Sequence, residues 1–220
     1  MIKTQLVALA TLVTAVILPT TQSAVPLLSP IPQHLMVLGE QEVILAQQSM
    51  GLTDRIADPA GNRGFADNIL LALHYLKGDV EADNIDWEQI RQPFEVSFTL
   101  EPGEFFAFHA NTLPEFKDPK YTLNSRFFVD EGYLSVYGLG GNGVCHLSSL
   151  MTWVATEAGL EVTAPARHDF FPIPGIDRKY GTSIRSQQAG QNLYLVNGFE
   201  QPVTFIFEVD TDAVNLKVVH

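Results

Sequence analysis

The chain has 220 residues, 46% of them hydrophobic, and 25 acidic against 13 basic side chains give a formal net charge of −12. That length and apolar content support one buried core plus an N-terminal appendage. The charge excludes nucleic acid as the expected partner, because phosphate binding relies on clustered Lys and Arg, and it disfavours anionic membrane surfaces for the same reason.

Residues 1–24 read as an export signal: Lys3 precedes an apolar run from Leu6 to Leu18, and small residues from Thr20 to Ala24 suit cleavage. The run falls short of the roughly 20 residues of a comfortable membrane span. An extracytoplasmic location is therefore expected. Residues 25–62 read as a linker containing Pro26, Pro30 and Pro32, with a second processing position near Ala46. Residues before about Gln48 are expected to add little to the core, and the folded domain is expected over 63–220.

Phe65, Ile69, Leu70, Leu73 and Leu76 have the spacing of an amphipathic helix stopped by Gly78. Asp86 with Gln89 three residues on predicts a short capped turn ended by Pro93. Val96, Phe98 and Leu100 alternate, Glu101-Pro102-Gly103 is a turn, and Glu104 to His109 is an aromatic strand, which predicts a hairpin. His74 and His109 read as packing residues. Ala110 to Ser125 is long enough for a lid or binding loop, and Arg126 to Tyr137 is expected as a strand.

The stretch Tyr137 to Leu160 joins four glycines, the only cysteine and a helix. Leu147, Leu150, Met151, Val154 and Ala158 form one stripe, ended by Gly159 at a C′ position. Cys145, Ser148, Ser149, Thr152 and Thr156 fall on the other side, with the thiol in the first turn. A helix N-terminus favours the thiolate, the nucleophilic form of cysteine. The plain alternative is packing, since free cysteine is among the most buried residue types. A lone exported thiol forms no internal disulfide, so it is sheltered, paired with another chain, or used.

After the helix, Glu161 to Thr163 predicts a strand, and Ala164 to Gly181 is an irregular segment carrying Arg167, His168, Asp169, Asp177, Arg178 and Lys179. The end of the chain reads as a β-meander: Leu193 to Val196, an Asn197-Gly198 turn, Val203 to Val209, and Val214 to Val219. The fold class expected is α+β, a predominantly antiparallel sheet with two or three packed helices. Residues 138–143 match G-x-G-x-x-G, but the antiparallel pattern that follows lacks the β-α-β units of a dinucleotide fold, so no nucleotide or other cofactor is expected. Cys145, His146, His168 and Asp169 have no standard metal-ligand spacing.

The block Gly141 to Leu150 (GNGVCHLSSL), then Ala158-Gly159-Leu160 and Arg167-His168, resembles the VanW family. Asn68 to Gly78, Pro102 to Phe108 and Gly132-Tyr133 are similar to further segments of that family, so the resemblance runs from about Arg63 to the C-terminus. His146 stands where glutamine is usual, and Asp169 where serine is common. The family is named for an accessory product of vancomycin-resistance clusters, and its members are mostly exported prokaryotic envelope proteins without an established activity. The resemblance implies a cell-envelope protein whose partner is a peptide or glycan of the wall peptidoglycan.

Two functions fit these residues. In the first, Cys145 is a nucleophile for acyl or peptidyl transfer or hydrolysis, His168 its base, and Asp169 or Asp177 orients the imidazole. Backbone N–H groups around Gly141 and Gly143 would stabilise an oxyanion, and His146, Ser148, Ser149 and Arg167 would bind substrate. In the second, the domain is a non-catalytic wall-binding module that uses aromatic faces as platforms.

Overall fold

The computed structural model describes residues 42–220, so the signal assigned to 1–24 and residues 25–41 of the Pro-containing stretch after it lie outside the described residues. In chain order the elements are β1 (Ile44–Gly51), α1 (Pro59–Lys77), α2 (Trp87–Ile90), β2 (Phe94–Leu100), β3 (Phe105–Ala107), β4 (Ser135–Val136), β5 (Leu139–Gly140), α3 (Val144–Ala158), β6 (Glu161–Thr163), β7 (Tyr194–Val196), β8 (Val203–Val209) and β9 (Ala213–Val219). Every strand pair among them is antiparallel. The described residues form an α+β fold with three helices and a C-terminal β8–β9 hairpin.

The larger sheet runs β1-β9-β8-β2, and a second runs β3-β7-β6. Period-two alternation sends Val96, Phe98 and Leu100 of β2 and Val203, Phe205 and Phe207 of β8 to the same buried face. Phe98 faces Phe205 across the ladder, and their rings stack at 4.8 Å. Phe98 also stacks on Phe106 of β3 at 5.0 Å, so one side chain welds the two sheets. A Phe98→Ala change therefore removes contacts in both layers, at a cost of about 3–5 kcal/mol.

Five expectations change. The Pro102-Gly103 turn does not close a hairpin: β2 pairs with β8 and β3 with β7, so this turn passes the chain between sheets. β7 likewise belongs to the second sheet, which leaves a hairpin where a three-stranded meander was expected. Asn197 is buried at this crossing, donating through Nδ2 to the Leu100 and Gln201 carbonyls at 2.9 and 2.8 Å and accepting the Phe199 N–H at Oδ1, while its backbone carbonyl accepts the Gly103 N–H. A buried amide that satisfies three backbone groups fixes the crossover as firmly as a ladder would.

The third change concerns the segment expected as linker. Ile44–Gly51 pairs along β9 as an edge strand, and Met50, Leu52 and Arg55 are buried. Packed structure thus begins well before residue 63. The fourth concerns Ala110 to Ser125, which lies along β3 rather than over a cleft. The Ala107 N–H donates to the Tyr121 carbonyl and the Lys120 N–H to the Phe105 carbonyl, Phe116 stacks on Tyr194 at 4.1 Å, and Leu123 is fully buried. Arg126 to Tyr137 is mostly irregular, with a 3-10 turn at Val129–Glu131 and strand only at β4.

Both long helices end as their glycines predict, with Gly78 and Gly159 in the left-handed region at φ 76° and 86°. α1 starts earlier than its apolar spacing implies, because Asp58 caps it through the Gly61 N–H at 2.7 Å and Pro59 occupies the first turn. α3 lays its Leu147, Leu150, Met151 and Val154 stripe against β1 and β9, and α1 packs beside it.

Candidate functional site

The N-terminus of α3 is set by a tight loop. β4 and β5 form a two-residue hairpin whose tip, Tyr137-Gly138, has positive φ at both positions, the geometry of a primed turn. Gly143 then holds φ 104°, where a Cβ would lie 2.5 Å from the Phe65 carbonyl oxygen, and a Cβ on Gly141 would lie 2.9 Å from that of Phe127. Both glycines are there for close backbone approach. Asn68, fully buried on α1, clamps the loop from beneath by bonding the Leu134 N–H and the Leu134 and Asn142 carbonyls.

A cleft of about 610 Å³ opens above this loop. Its floor is Gly141 to His146 with His168, and Arg126 to Phe128 and Ile184 to Ser186 form one side. Two arms flank it. One is the β4–β5 hairpin, carrying Tyr137 and Leu139; the other is the loop after His168, carrying Phe170 and Phe171. Tyr137 is 72% exposed and Phe170 74%, yet the Tyr137 hydroxyl is anchored on Asp58 at 3.0 Å.

Cys145 lies in the first turn of α3, as its position predicts. Its sulfur sits against the backbone of Ile184, accepting the N–H at 3.4 Å and lying 3.8 Å from the carbonyl. The residue is half-buried, and desolvation of the sulfur pushes the thiol upward, opposed by the Ile184 N–H. This is opposite in sign to the expected helix-end activation. The N–H groups of Val144 and His146 are spent on the Gly141 and Gly143 carbonyls, so they are not free to hold an oxyanion.

His168 is brought to the same cleft but is held by backbone. Its Nδ1 lies 3.1 Å from the Phe171 carbonyl, which only accepts, so the neutral ring carries its proton there. Burial lowers its basicity. Phe170 packs against it with the rings tilted at 4.1 Å between centroids, and His146 meets it edge-on at 6.1 Å. His146 is 3% exposed, and burial together with the charges of Arg55 and His168 holds it down to about 3.

The aspartates do not join them. Asp169 pairs with Arg167 at 3.5 Å on the surface, and Asp177 caps a short 3-10 turn through the Lys179 N–H at 3.0 Å. Arg167 donates to the Arg178 carbonyl. Neither carboxylate orients the His168 imidazole; the Phe171 carbonyl takes that place. Ser148 and Ser149 are fully buried and clamp the 180–184 segment: Ser148 Oγ reaches the Cys145 and Thr182 carbonyls, while Ser149 Oγ accepts the Thr182 N–H at 2.9 Å. Thr152 continues the row to the Thr182 hydroxyl at 2.6 Å. The small polar face of α3 is a hydrogen-bonded seam.

A family model described as VanW like protein matches residues 96–219, more than half of the chain. The chain belongs to the VanW-like family. No curated protein matches it, and no solved structure does. In this VanW-like domain the match begins inside β2, so α1, which supplies Asn68 and Phe65 to the site, lies upstream of the matched residues.

Several residues at the VanW-like cleft carry no sequence signal of a site. Arg185 and Arg126 line it, and Arg55 lies in the layer close enough to depress His146. Arg55 is 1% exposed; its Nη2 meets Asp54 and the Pro174 carbonyl, while Nε and Nη1 have no partner among the described residues. The adjacent Phe170-Phe171, flanked by Asp169 and Pro172 in a loop, is the one missed feature legible beforehand, because two large aromatics there have no strand or helix face to bury them.

Proposed function

We propose that this protein is a non-catalytic binding module of the cell envelope, whose cleft holds a segment of wall peptide or glycan between the two aromatic arms. The observation that carries it is the placement of Tyr137, Leu139, Phe170 and Phe171, four of the large exposed apolar side chains, around one concave site. The Cys/His transferase or hydrolase reading has weaker support. Its thiol is raised by burial and bonded to backbone, and both candidate aspartates face elsewhere. Export and envelope location belong to the same proposal and draw on the apolar run of residues 6–18 and on the family resemblance.

The test is a ¹H–¹⁵N titration of the protein with a soluble peptidoglycan digest. Perturbations concentrated at residues 137–146, 168–171 and 184–186 support the reading. A digest that shifts no resonance there, or is cleaved or re-ligated in a Cys145-dependent way, overturns it.

A further inference from the structure

Resting on that cleft, we infer that its ligand is an amphiphilic anion, with an apolar body between the Phe170–Phe171 and Tyr137–Leu139 arms and a negatively charged head at Arg185. The charge pattern of the cleft runs against that of the chain. Acidic residues outnumber basic ones 25 to 13 overall, yet no Asp or Glu lines the cleft, while Arg126, Arg185, His146 and His168 do. The nearby carboxylates are engaged: Asp58 by the Gly61 N–H and the Tyr137 hydroxyl, Asp130 and Glu131 by Arg126 at 3.0 and 3.2 Å.

That pairing neutralises Arg126, whose guanidinium also lies over the Phe128 ring at 5.3 Å. Arg185 is different. Its side chain is exposed on the cleft wall and makes no ion pair among the described residues, while its backbone is fixed by bonds to Gln191 and Gln188. A cation left unpaired on a rigid segment beside an apolar cleft is a ready partner for an anionic head.

Two further features have the same sign. α3 is a 15-residue helix whose first turn forms the cleft floor; its Val144 and His146 N–H groups are already bonded to the Gly141 and Gly143 carbonyls, so its positive end contributes a field rather than free donors. His146 sits in that turn, more than nine-tenths buried, with Nδ1 unpartnered among the described residues. Its depressed basicity keeps it neutral, so the floor offers dipoles and the wall offers the charge. A carboxylate or a phosphate monoester fits this chemistry equally, as the end of a peptide with an apolar last residue or as the head of an alkyl phosphate.

The probes are 1-anilinonaphthalene-8-sulfonate and N-phenyl-1-naphthylamine, which share one aromatic body and differ by the sulfonate. Fluorescence titration of the protein at pH 7 is expected to show tighter binding of the anionic probe, by about three- to tenfold for a partly exposed charge contact. Arg185→Gln should abolish that preference and leave the neutral probe within about twofold, whereas Phe170→Ala should weaken both probes. Displacement by N-acetylphenylalanine but not by its amide identifies a peptide end, and displacement by hexyl phosphate identifies a phosphate head. Equal binding of the two probes, no effect of Arg185→Gln on the anionic one, or displacement by neither competitor overturns the anionic head while leaving the cleft intact. Failure of both probes to bind, or indifference of both to Phe170→Ala, removes the cleft reading with it.

Discussion

Replacing Ser149 by Ala removes one oxygen that serves two backbone groups. The hydroxyl donates to the Cys145 carbonyl at 2.6 Å and accepts from the Thr182 N–H at 2.9 Å. The carbonyl keeps Ser148 Oγ at 3.1 Å. Thr182 is fully buried, so water does not replace its lost acceptor. An unsatisfied buried N–H costs about 1–3 kcal/mol, and the better helix propensity of Ala returns about 0.5. The net expectation is a loss of about 1–2 kcal/mol, or about 2–8 °C in Tm for a domain of this size. Urea denaturation followed by circular dichroism measures the loss, and hydrogen exchange at the Thr182 amide should accelerate alongside it. Thr156→Ala is the control, because that exposed hydroxyl bonds only back to the Thr152 carbonyl of its own helix, and it should stay within about 0.5 kcal/mol. If Ser149→Ala were as silent as Thr156→Ala in stability yet weakened ligand binding, the seam would not be structural and Ser149 would return to the cleft as a contact.

Three further outcomes follow from the same geometry. Alkylation of Cys145 by iodoacetamide should show an apparent pKa above that of free cysteine, with less than the roughly 3% thiolate that a pKa near 8.5 gives at pH 7; His168→Ala should leave the profile in place, and a profile shifted upward by that change would restore the nucleophile–base pair. His146 is held at about 3 when folded against an ordinary 6.5, so the unfolded state takes up the proton first as pH falls. Its contribution is intact above about 6.5 and is lost toward pH 3, by at most about 1.4 kcal/mol per pH unit. His146→Gln should flatten that slope in urea midpoints between pH 7 and 4.5, and an unchanged slope would mean the imidazole is not held neutral by burial. Deleting residues up to Gln47 removes the partners of Val219, Val218 and Lys217 on β9, with an expected loss of about 2–4 kcal/mol and self-association through the bared edge, visible by size-exclusion chromatography. A truncated protein as stable as the full chain would show that β1 adds nothing.

What was legible in the sequence was local. α1 and α3 announce themselves by apolar spacing and by glycines whose left-handed φ ends each helix, since both signals act within a few residues. Strand partners were not legible, because β2 and β3 are adjacent in sequence yet find partners about a hundred residues later, in β8 and β7. β1 escaped notice because only Met50 of its eight residues is fully buried, and an edge strand carrying two glutamines reads as linker. At the site, the sequence brought Cys145, His146 and His168 to one cleft, through the glycine loop and the segment after β6. It misplaced the serines, since a hydroxyl on the non-stripe face of a helix looks the same whether it meets ligand or a neighbouring backbone. It gave no sign of Arg185, whose role depends on which carboxylates the fold leaves away from it, or of Arg55, which comes near His146 only through the fold.

On the proposed reading the aromatic arms, and not the thiol, make the protein's working contact. Co-sedimentation with purified insoluble peptidoglycan tests it most directly, comparing the unaltered protein, Cys145→Ser, and the double variant Phe170→Ala/Phe171→Ala. Both phenylalanines are mostly exposed, so the double variant should fold normally. Cys145→Ser is expected to bind within about twofold of the unaltered protein and the double variant about tenfold more weakly, the loss of two aromatic platforms. Retention by the double variant together with loss in Cys145→Ser would contradict the account.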